Sequence, residues 1–421
     1  MPDARRWGRA ITAGSVVAIA GLTLAPDPGA TASAAKTGLL CLICGDRGGV
    51  DVVLNVILFV PLGLGLRLAG VPLRRAVGVA AVCSFTVELL QLTVVTGRDA
   101  SLSDILTNTT GAGLGTLVVP RLGLLLCPDH RQGGRLLLGG VTAWLALLLV
   151  SAWLLSPDFG DGEVGGAWAD IPGPEVFTGR VLEVRSAGAL LPRSGAPKDS
   201  AGVREALRQG RMSLEARVVT GLRSPARRWI YIIGENGVPR LDLSQQGRAL
   251  LLGLPARAQH YLFGTPTILL PKAFPPDTGR EVALEATMSD RIVRLAATSG
   301  DTTRSETAAL SPARGWTLFA PFGLGLGPRV PLLTSLVLLG LTLPLGYWAA
   351  RAPWLPGGLM LGTALVAGLG GIPAVTGFPP VALSEWAGAV GGAAAGWALS
   401  RAAAYLQPRC GSPSTAEFSS S

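Results

Sequence analysis

The sequence predicts a polytopic α-helical membrane protein of about eight transmembrane helices, with an extracytoplasmic all-β sandwich inserted between the fifth and the sixth. Three observations lead there. Charged residues make up only 15% of the 421 residues, and mean hydropathy is +0.45, both unusual for a water-soluble chain. Eight apolar runs stand out, at roughly 10–25, 51–68, 76–95, 104–119, 136–155, 330–349, 355–376 and 383–400, and most reach the ~20 residues needed to cross a hydrocarbon core. Between the fifth and sixth runs the composition changes: residues 156–328 hold 17 of the 27 acids and 20 Lys and Arg. The 57 Gly and 31 Pro suit membrane helices. The same composition excludes a disordered, coiled-coil or collagen-like chain.

The net charge of +9 does not indicate a nucleic-acid partner. Lys occurs only at Lys36, Lys198 and Lys272, and the Arg residues flank apolar runs instead of forming one basic tract. That is the positive-inside pattern, not phosphate tracking. With Arg5, Arg6 and Arg9 in the cytoplasm, Arg67, Arg74 and Arg75, then Arg121, Arg131 and Arg135, then Arg351, then Arg401 and Arg409 all fall on cytoplasmic turns. Eight spans and this orientation support each other. The first run also reads as a signal peptide, since Arg5–Arg9, an apolar core and the small residues at 30–35 have that order. Whether residues 1–35 stay as a helix or are removed, the chain from residue 36 onward begins outside.

Cys41 and Cys44 come next, on the outer side. A redox CxxC expects a thioredoxin-like context, and a zinc site needs more ligands than the two His of the chain supply. A local disulfide is the plainer reading. Cys83, Cys127 and Cys410 read as free thiols. Residues 1–155 thus form the first membrane region, 156–328 the extracytoplasmic domain, 329–407 three further membrane helices, and 408–421 a disordered cytoplasmic tail. Within 156–328, short β-like runs alternate with turn residues: Gly179–Ser186, Met212–Val219, Trp229–Ile233, Arg240–Leu243, Ala249–Leu254, Val282–Met288 and Ile292–Ala297. Strands of this length at this spacing predict a sandwich able to bury its own core.

Polar residues inside apolar runs are costly and ask for a reason. Here they are Asp51 and Asn55 on span two, Glu88 and Gln91 on span three, Asp104 and Asn108 on span four, and Glu385 on span eight. The predicted threading puts every one in the outer half of the bilayer. Glu88 and Gln91 are i, i+3; Asp104 and Asn108 are i, i+4, and Gly111 and Gly115 continue that face as a small-residue stripe. Leu383-Ser384-Glu385 with Gly392 and Gly396 repeats the arrangement of Leu102-Ser103-Asp104 with Gly111 and Gly115, which points to a remote duplication of a three-helix unit over spans two to four and six to eight. Structural readings stand beside the functional ones. Ser103 can cap a helix with Asp104 in its first turn, Asn55 can be a helix-bridging amide, and Arg98 and Asp99 can be plain surface charges. Arg98 is also the nearest cation for Glu88, Asp104 or a phosphate. Glu88, about two turns inside its span, is the hardest to explain structurally. No G-x-S-x-G, Walker A, H-E-x-x-H or Rossmann glycine pattern occurs, so any chemistry there would fall to carboxylates. No cofactor and no metal are expected.

Asp51-Val-Val-Leu-Asn55-Val-Ile-Leu-Phe59-Val-Pro61-Leu-Gly63, Glu88-Leu-Leu-Gln91, Gly97-Arg98-Asp99-Ala100-Ser101-Leu102-Ser103-Asp104, and Asn108 through Gly111 to Gly115 resemble the VanZ-like family over about residues 10–155. The sequence departs at Asn108-Thr-Thr-Gly111, where Asn-Thr-Leu-Gly is more usual. Gly210–Ala216, Trp229–Gly234 and Leu241–Gln245 resemble a concanavalin A-like or laminin-G-like jelly roll, without a clear Ca²⁺ cluster. The first resemblance implies a multi-pass protein of the bacterial cell envelope, with an association to teicoplanin resistance. Three functions stand as expectations. In the first, the polar cluster recognises or modulates a lipid-linked or surface glycan component, with membrane lipid around it, and the jelly roll contacts glycan. In the second, the protein is an intramembrane enzyme in which Glu88 acts as general base and Asp104 as acid or metal partner on a lipid head group, with Arg98 on its phosphate; Asn55, Gln91, Arg98, Asn108 and Glu385 are the ligand-binding candidates. In the third, the cluster only locks helices and the β domain mediates protein contacts.

Overall fold

The computed structural model describes residues 2–25, 43, 48–95, 101–168, 176–320 and 327–406. Cys41, Cys44, Arg98, Asp99 and the tail from 408 lie outside them. The chain divides into two compact units, the first made of residues 1–120, 153–310 and 317–327, the second of 121–152, 311–316 and 328–421.

In the first unit, helices α1 (Pro2–Thr23), α2 (Gly48–Leu68), α3 (Leu73–Thr93) and α4 (Leu102–Val118) pack around Ile19, Phe59, Leu62, Ala76, Ala80, Val87 and Ala112. Glycines set the closest approach. A Cβ on Gly111 would lie 2.2 Å from the Val56 carbonyl oxygen, one on Gly115 2.0 Å from that of Val60, and one on Gly63 1.9 Å from that of Ala112. Helices α2 and α4 therefore run parallel with their backbones touching, the contact that small residues permit and any side chain forbids. Pro61 lies inside α2, one residue past the Val60 contact. Helix α4 begins at Leu102, and its cap is Ser101, whose hydroxyl accepts the Ser103 amide at 3.1 Å; the expected cap, Ser103, is already in the first turn.

The remainder of this unit is a β-sandwich. One sheet has the order β4-β1-β6-β7-β8-β9 and the other β12-β11-β10-β5-β2-β3, where the strands are β1 (Val164–Ala167), β2 (Arg180–Ser186), β3 (Ala189–Leu190), β4 (Ser194–Gly195), β5 (Met212–Val219), β6 (Arg228–Glu235), β7 (Val238–Gln246), β8 (Ala249–Gly253), β9 (Thr267–Leu270), β10 (Glu281–Ser289), β11 (Ile292–Ser299) and β12 (Thr302–Ala309). Strict alternation buries Leu214, Ala216 and Val218 on β5 against Val282, Leu284 and Ala286 on β10, and turns Glu215, Arg217 and Glu285 outward. All seven runs predicted as strands are strands. Unpredicted are β1, β3, β4, β9 and β12. Four of these have two to four residues, and β12, Thr-Thr-Arg-Ser-Glu-Thr-Ala-Ala, is an edge strand with no buried face to leave a hydrophobic period. The domain rests on the helix ends of its own unit: a Cβ on Gly49 would meet the Tyr261 carbonyl at 2.1 Å, and the Tyr261 and Trp153 rings lie 5.2 Å apart.

The second unit takes most of the long helix after α4. A short helix α5 (Leu122–Leu126) leads into α6 (His130–Leu155); beyond the sandwich, where a helix α7 (Ser200–Arg208) lies between β4 and β5, come α8 (Val330–Arg351), α9 (Trp354–Val366), a π turn at Ala367–Gly371, α10 (Ile372–Thr376) and α11 (Leu383–Leu406). His130 Nδ1 meets the Arg351 carbonyl at 2.8 Å, and Arg351 Nε donates to Ser400 Oγ at 2.9 Å. Helices α8 and α11 touch as α2 and α4 do. Cβ atoms on Gly392, Gly396 and Gly346 would lie 2.2, 1.9 and 1.9 Å from the carbonyl oxygens of Leu339, Leu343 and Ala393.

Among the described residues six helical stretches are long and apolar enough to cross a membrane: Gly48–Leu68, Leu73–Thr93, Leu102–Leu126, His130–Leu155, Gly327–Arg351 and Leu355–Thr376. Helices α1 and α11 have the length, 22 and 24 residues, but not the apolar content. Arg5, Arg6 and Arg9 dilute the first, and Gly, Ser, Trp and the charged Glu385 and Arg401 dilute the second.

Candidate functional site

The polar groups of α2, α3 and α4 meet at one end of the first helical bundle. Asn55 Nδ2 donates to Asp104 Oδ1 at 2.8 Å and ties α2 to α4. Glu88 Oε2 accepts the Ser101 backbone amide at 2.8 Å, one residue before α4 begins. One turn away on α3, the Ser84 hydroxyl accepts Asn108 Nδ2 at 2.9 Å and donates to the Asp104 carbonyl at 3.5 Å. Gln91 Nε2 reaches the last turn of α1 and donates to the Thr23 carbonyl at 2.9 Å.

Burial is deep. Glu88 is 6% exposed and Asn108 2%, while Asn55 and Asp104 are half-buried. The local sequence explains the arrangement. Ser84, Glu88 and Gln91 fall at i, i+4 and i+7, on one face of α3, and Asp104 and Asn108 share the face of α4 that carries Gly111 and Gly115. Close packing at those glycines brings α2 within reach of Asp104. The centre therefore combines two carboxylates, two amides and a hydroxyl: a set able to hold a cation, to accept hydrogen bonds from a ligand, or to move a proton. Asp51 is exposed at the start of α2.

Glu385 belongs to the second unit and has its own partners. It is fully buried; Arg314 Nε donates to its Oε1 at 3.0 Å, Ser311 Oγ to its Oε2 at 3.1 Å, and the Ala382 amide approaches at 3.4 Å. Of the residues singled out in the sequence, Asn55, Glu88, Gln91, Asp104 and Asn108 come together on neighbouring helices, Glu385 forms a separate centre, and Arg98, Cys41 and Cys44 lie outside the described residues. Sequence reasoning missed Ser84, Ser101, Ser311 and Arg314. Ser84 was legible, one turn before Glu88 on the same face. Arg314 was not, since it lies 71 residues from Glu385 in a short 3-10 segment.

A second feature lies on the outer face of the β12–β3 sheet, where a cavity of about 440 Å³ is lined by Glu183, Arg185, Glu215, Arg217, Glu285 and Thr298 over a floor of Ala283 and Ala296. Cross-strand register sets Glu183 beside Arg217, Arg185 beside Glu215, and Glu215 beside Glu285. Hydrogen bonding to Glu281 first, and then its charge, hold the Arg217 guanidinium above its ordinary basicity. No aromatic ring lines this groove. Among the described residues no group of three or more His, Cys, Asp or Glu is placed to hold a metal.

Residues 17–125 match the family model described as VanZ/LLP1. The matched stretch contains every residue of the α2–α4 network and ends before the sandwich. No curated protein matches the chain, and no solved structure does.

Proposed function

We propose, from a VanZ/LLP1 domain over residues 17–125 as premise, that this is an envelope membrane protein that recognises or modulates a lipid-linked or surface glycan component. The α2–α4 polar centre is its recognition site, and glycopeptide (teicoplanin) tolerance is the process it serves. The observation that carries the reading is the shared network of Asn55, Ser84, Glu88, Asp104 and Asn108 inside that domain. Buried polar groups in a membrane helix are expensive, and a helix lock needs one such bond where this bundle spends five residues. In this reading the chain spans the membrane eight times with α1 and α11 included, and its centre and sandwich face the outside. The sandwich is a jelly roll of concanavalin A-like or laminin-G-like type, and its charged groove takes the polar part of the same component. An intramembrane enzyme acting on a lipid-linked precursor is the second reading, favoured by the presence of two carboxylates, Glu88 and Asp104, in one centre.

The test is teicoplanin and vancomycin susceptibility of a host expressing wild type or Glu88→Gln, with membrane abundance measured alongside. Glutamine keeps an oxygen to accept the Ser101 amide, so the variant is expected to accumulate normally and to lose protection. Normal protection by an equally abundant Glu88→Gln would remove the site from the function. Loss of the protein itself would mean that the carboxylate only holds the helices.

A further inference from the structure

The two ends of the β-sandwich differ in charge. One end meets the helices: the Tyr261 carbonyl approaches Gly49, and a Cβ on Gly210, two residues before β5, would lie 3.0 Å from Pro157, two residues past α6. From there β5 carries the chain about 25 Å to Val219, at the far end. Strand β6 spans the same distance, from Arg228 at the far end to Glu235, whose carboxylate accepts the Gly162 amide at 2.9 Å. Five segments meet at the far end. The Thr220 amide donates to the Arg280 carbonyl at 2.9 Å, the Gly247 amide to that of Ser224 at 2.8 Å, the Phe274 amide to that of Arg248 at 3.0 Å, and the Phe177 amide to that of Trp229 at 3.1 Å. Ser299 Oγ donates to the Glu281 carbonyl at 3.1 Å. These segments, 176–180, 219–228, 246–249, 271–281 and 299–302, hold seven basic residues and three acids. Arg227 is paired with Asp242, and Glu281 with Arg217. Arg180, Arg223, Arg228, Arg248, Lys272 and Arg280 have no carboxylate partner among the described residues, and only Asp277 and Asp301 stand against them. Arg228 Nε is in addition buried without an acceptor. No segment brings more than three of these bases, so the sequence shows no basic tract.

Unpaired like charges gathered at one end repel one another and attract counter-ions. Arg180 and Arg280 flank β2 and β10 of one sheet, and Arg228 and Arg248 flank β6 and β8 of the other, so a single small anion cannot reach them all, whereas a chain of anions can. Guanidinium groups hold phosphate through paired N–H bonds. The rings of this end, Phe177 and Phe274, are buried against each other with centroids 6.3 Å apart, which leaves neither of them as a platform for stacked bases. We propose that the end of the sandwich away from the helices is a docking surface for an anionic polymer of repeated phosphate groups. The inference goes beyond the α2–α4 centre and does not depend on it.

The experiment is binding of fluorescently labelled linear polyphosphate to the full chain in detergent, read by anisotropy over a series of sodium chloride concentrations. Saturable binding that weakens steeply with salt is expected, with inorganic phosphate, at equal phosphate concentration, competing at least tenfold less well. Lys272 and Arg280 are exposed and make no side-chain bond among the described residues. Lys272→Gln together with Arg280→Gln is expected to weaken binding about tenfold and to flatten its salt dependence, at an unchanged thermal midpoint. Arg180→Gln, on a different segment, is expected to act in the same direction and keeps the test decisive if the pair is poorly folded. Arg211→Gln with Arg294→Gln removes the same charge at the end near the helices and is expected to change binding less than twofold. The proposal is overturned if the far-end variants bind as wild type does, or if both pairs weaken binding equally. It is also overturned if inorganic phosphate competes as well as the polymer, which means a single-ion site. Equal affinity for polyglutamate would mean unselective charge, and tighter binding of oligothymidylate would mean a nucleic-acid surface; either result overturns it.

Discussion

The pair α2–α4 and the pair α8–α11 share a frame and differ in what they do with a buried carboxylate. Both frames are set by three glycines against three carbonyls. In the second pair the acid is closed off by the chain's own Arg314, and hydroxyls stitch the helices: Thr342 donates to the Ala389 carbonyl at 2.8 Å and Ser335 to that of Ser384 at 2.7 Å. In the first pair Phe59 takes the place of Thr342, Asn55 that of Leu338, and Asn108 Oδ1 is buried without a hydrogen-bond partner. The same backbone contact thus carries a buried Glu–Arg ion pair in one unit and an Asn55–Asp104 hydrogen bond in the other. Backbone packing sets where a polar centre can be; side chains decide its partners.

Breaking the shared frame has the largest expected effect. Gly63→Leu and Gly346→Leu each drive a side chain into a carbonyl 1.9 Å from the Cβ position, so each is expected to lose about 3 kcal/mol or more by overpacking, read as a fall in thermal midpoint and in the monodisperse fraction in detergent. A large effect of one and none of the other would end the equivalence. Next is the closed centre. Arg314→Ala leaves Glu385 buried without its cation and is expected to cost about 3–5 kcal/mol, whereas the double change with Glu385→Leu recovers much of that. Equal damage from the single and the double change would mean that Arg314 acts through packing and not through its charge. The smallest effect belongs to the α2–α4 centre. Asn55→Leu, which installs the residue found at the corresponding position of α8, removes one hydrogen bond and is expected to cost about 1 kcal/mol. A cost comparable to that of Arg314→Ala would make Asn55–Asp104 a structural lock and weaken the reading of its centre as a site.

Much of this was legible in the sequence, and the illegible part has a pattern. The apolar runs marked α2, α3, α6, α8 and the α9–α10 stretch, because a hydrocarbon core demands length and composition that nothing else in the chain imitates. The residues of the first centre were legible for the converse reason: Glu88, Asp104 and Asn108 stand out against an apolar background. The stripes Gly111/Gly115 and Gly392/Gly396 were visible, but not the carbonyls they meet, since any residue offers one. Partners distant in sequence were invisible, Arg314 above all, because in a polar segment one Arg resembles every other. Helix α6 shows the same limit: its sequence marks a span, but the grouping of its residues through Ala152 with the later helices rests on contacts such as Gly140 with Trp348 and Gly368 with Trp144. On β12, exposure along nearly its whole length erased the alternation that disclosed β5 and β10.

The repeated glycine–carbonyl register has a consequence for biosynthesis. Helices α2 and α8 offer the same backbone register to α4 and α11, so a chain inserting into a membrane carries two pairs that meet in one way. Order of emergence resolves much of this, because N-terminal segments fold first during synthesis and α4 leaves the ribosome long before α8 is made, with the whole sandwich translated in between. The side chains supply the remainder. Exchange of α8 for α2 would set Leu338 where Asn55 meets Asp104, forfeiting the bond that marks the correct partner. The Asn55–Asp104 bond thus distinguishes α2 from α8 as the partner of α4, although both helices carry the same glycine–carbonyl register.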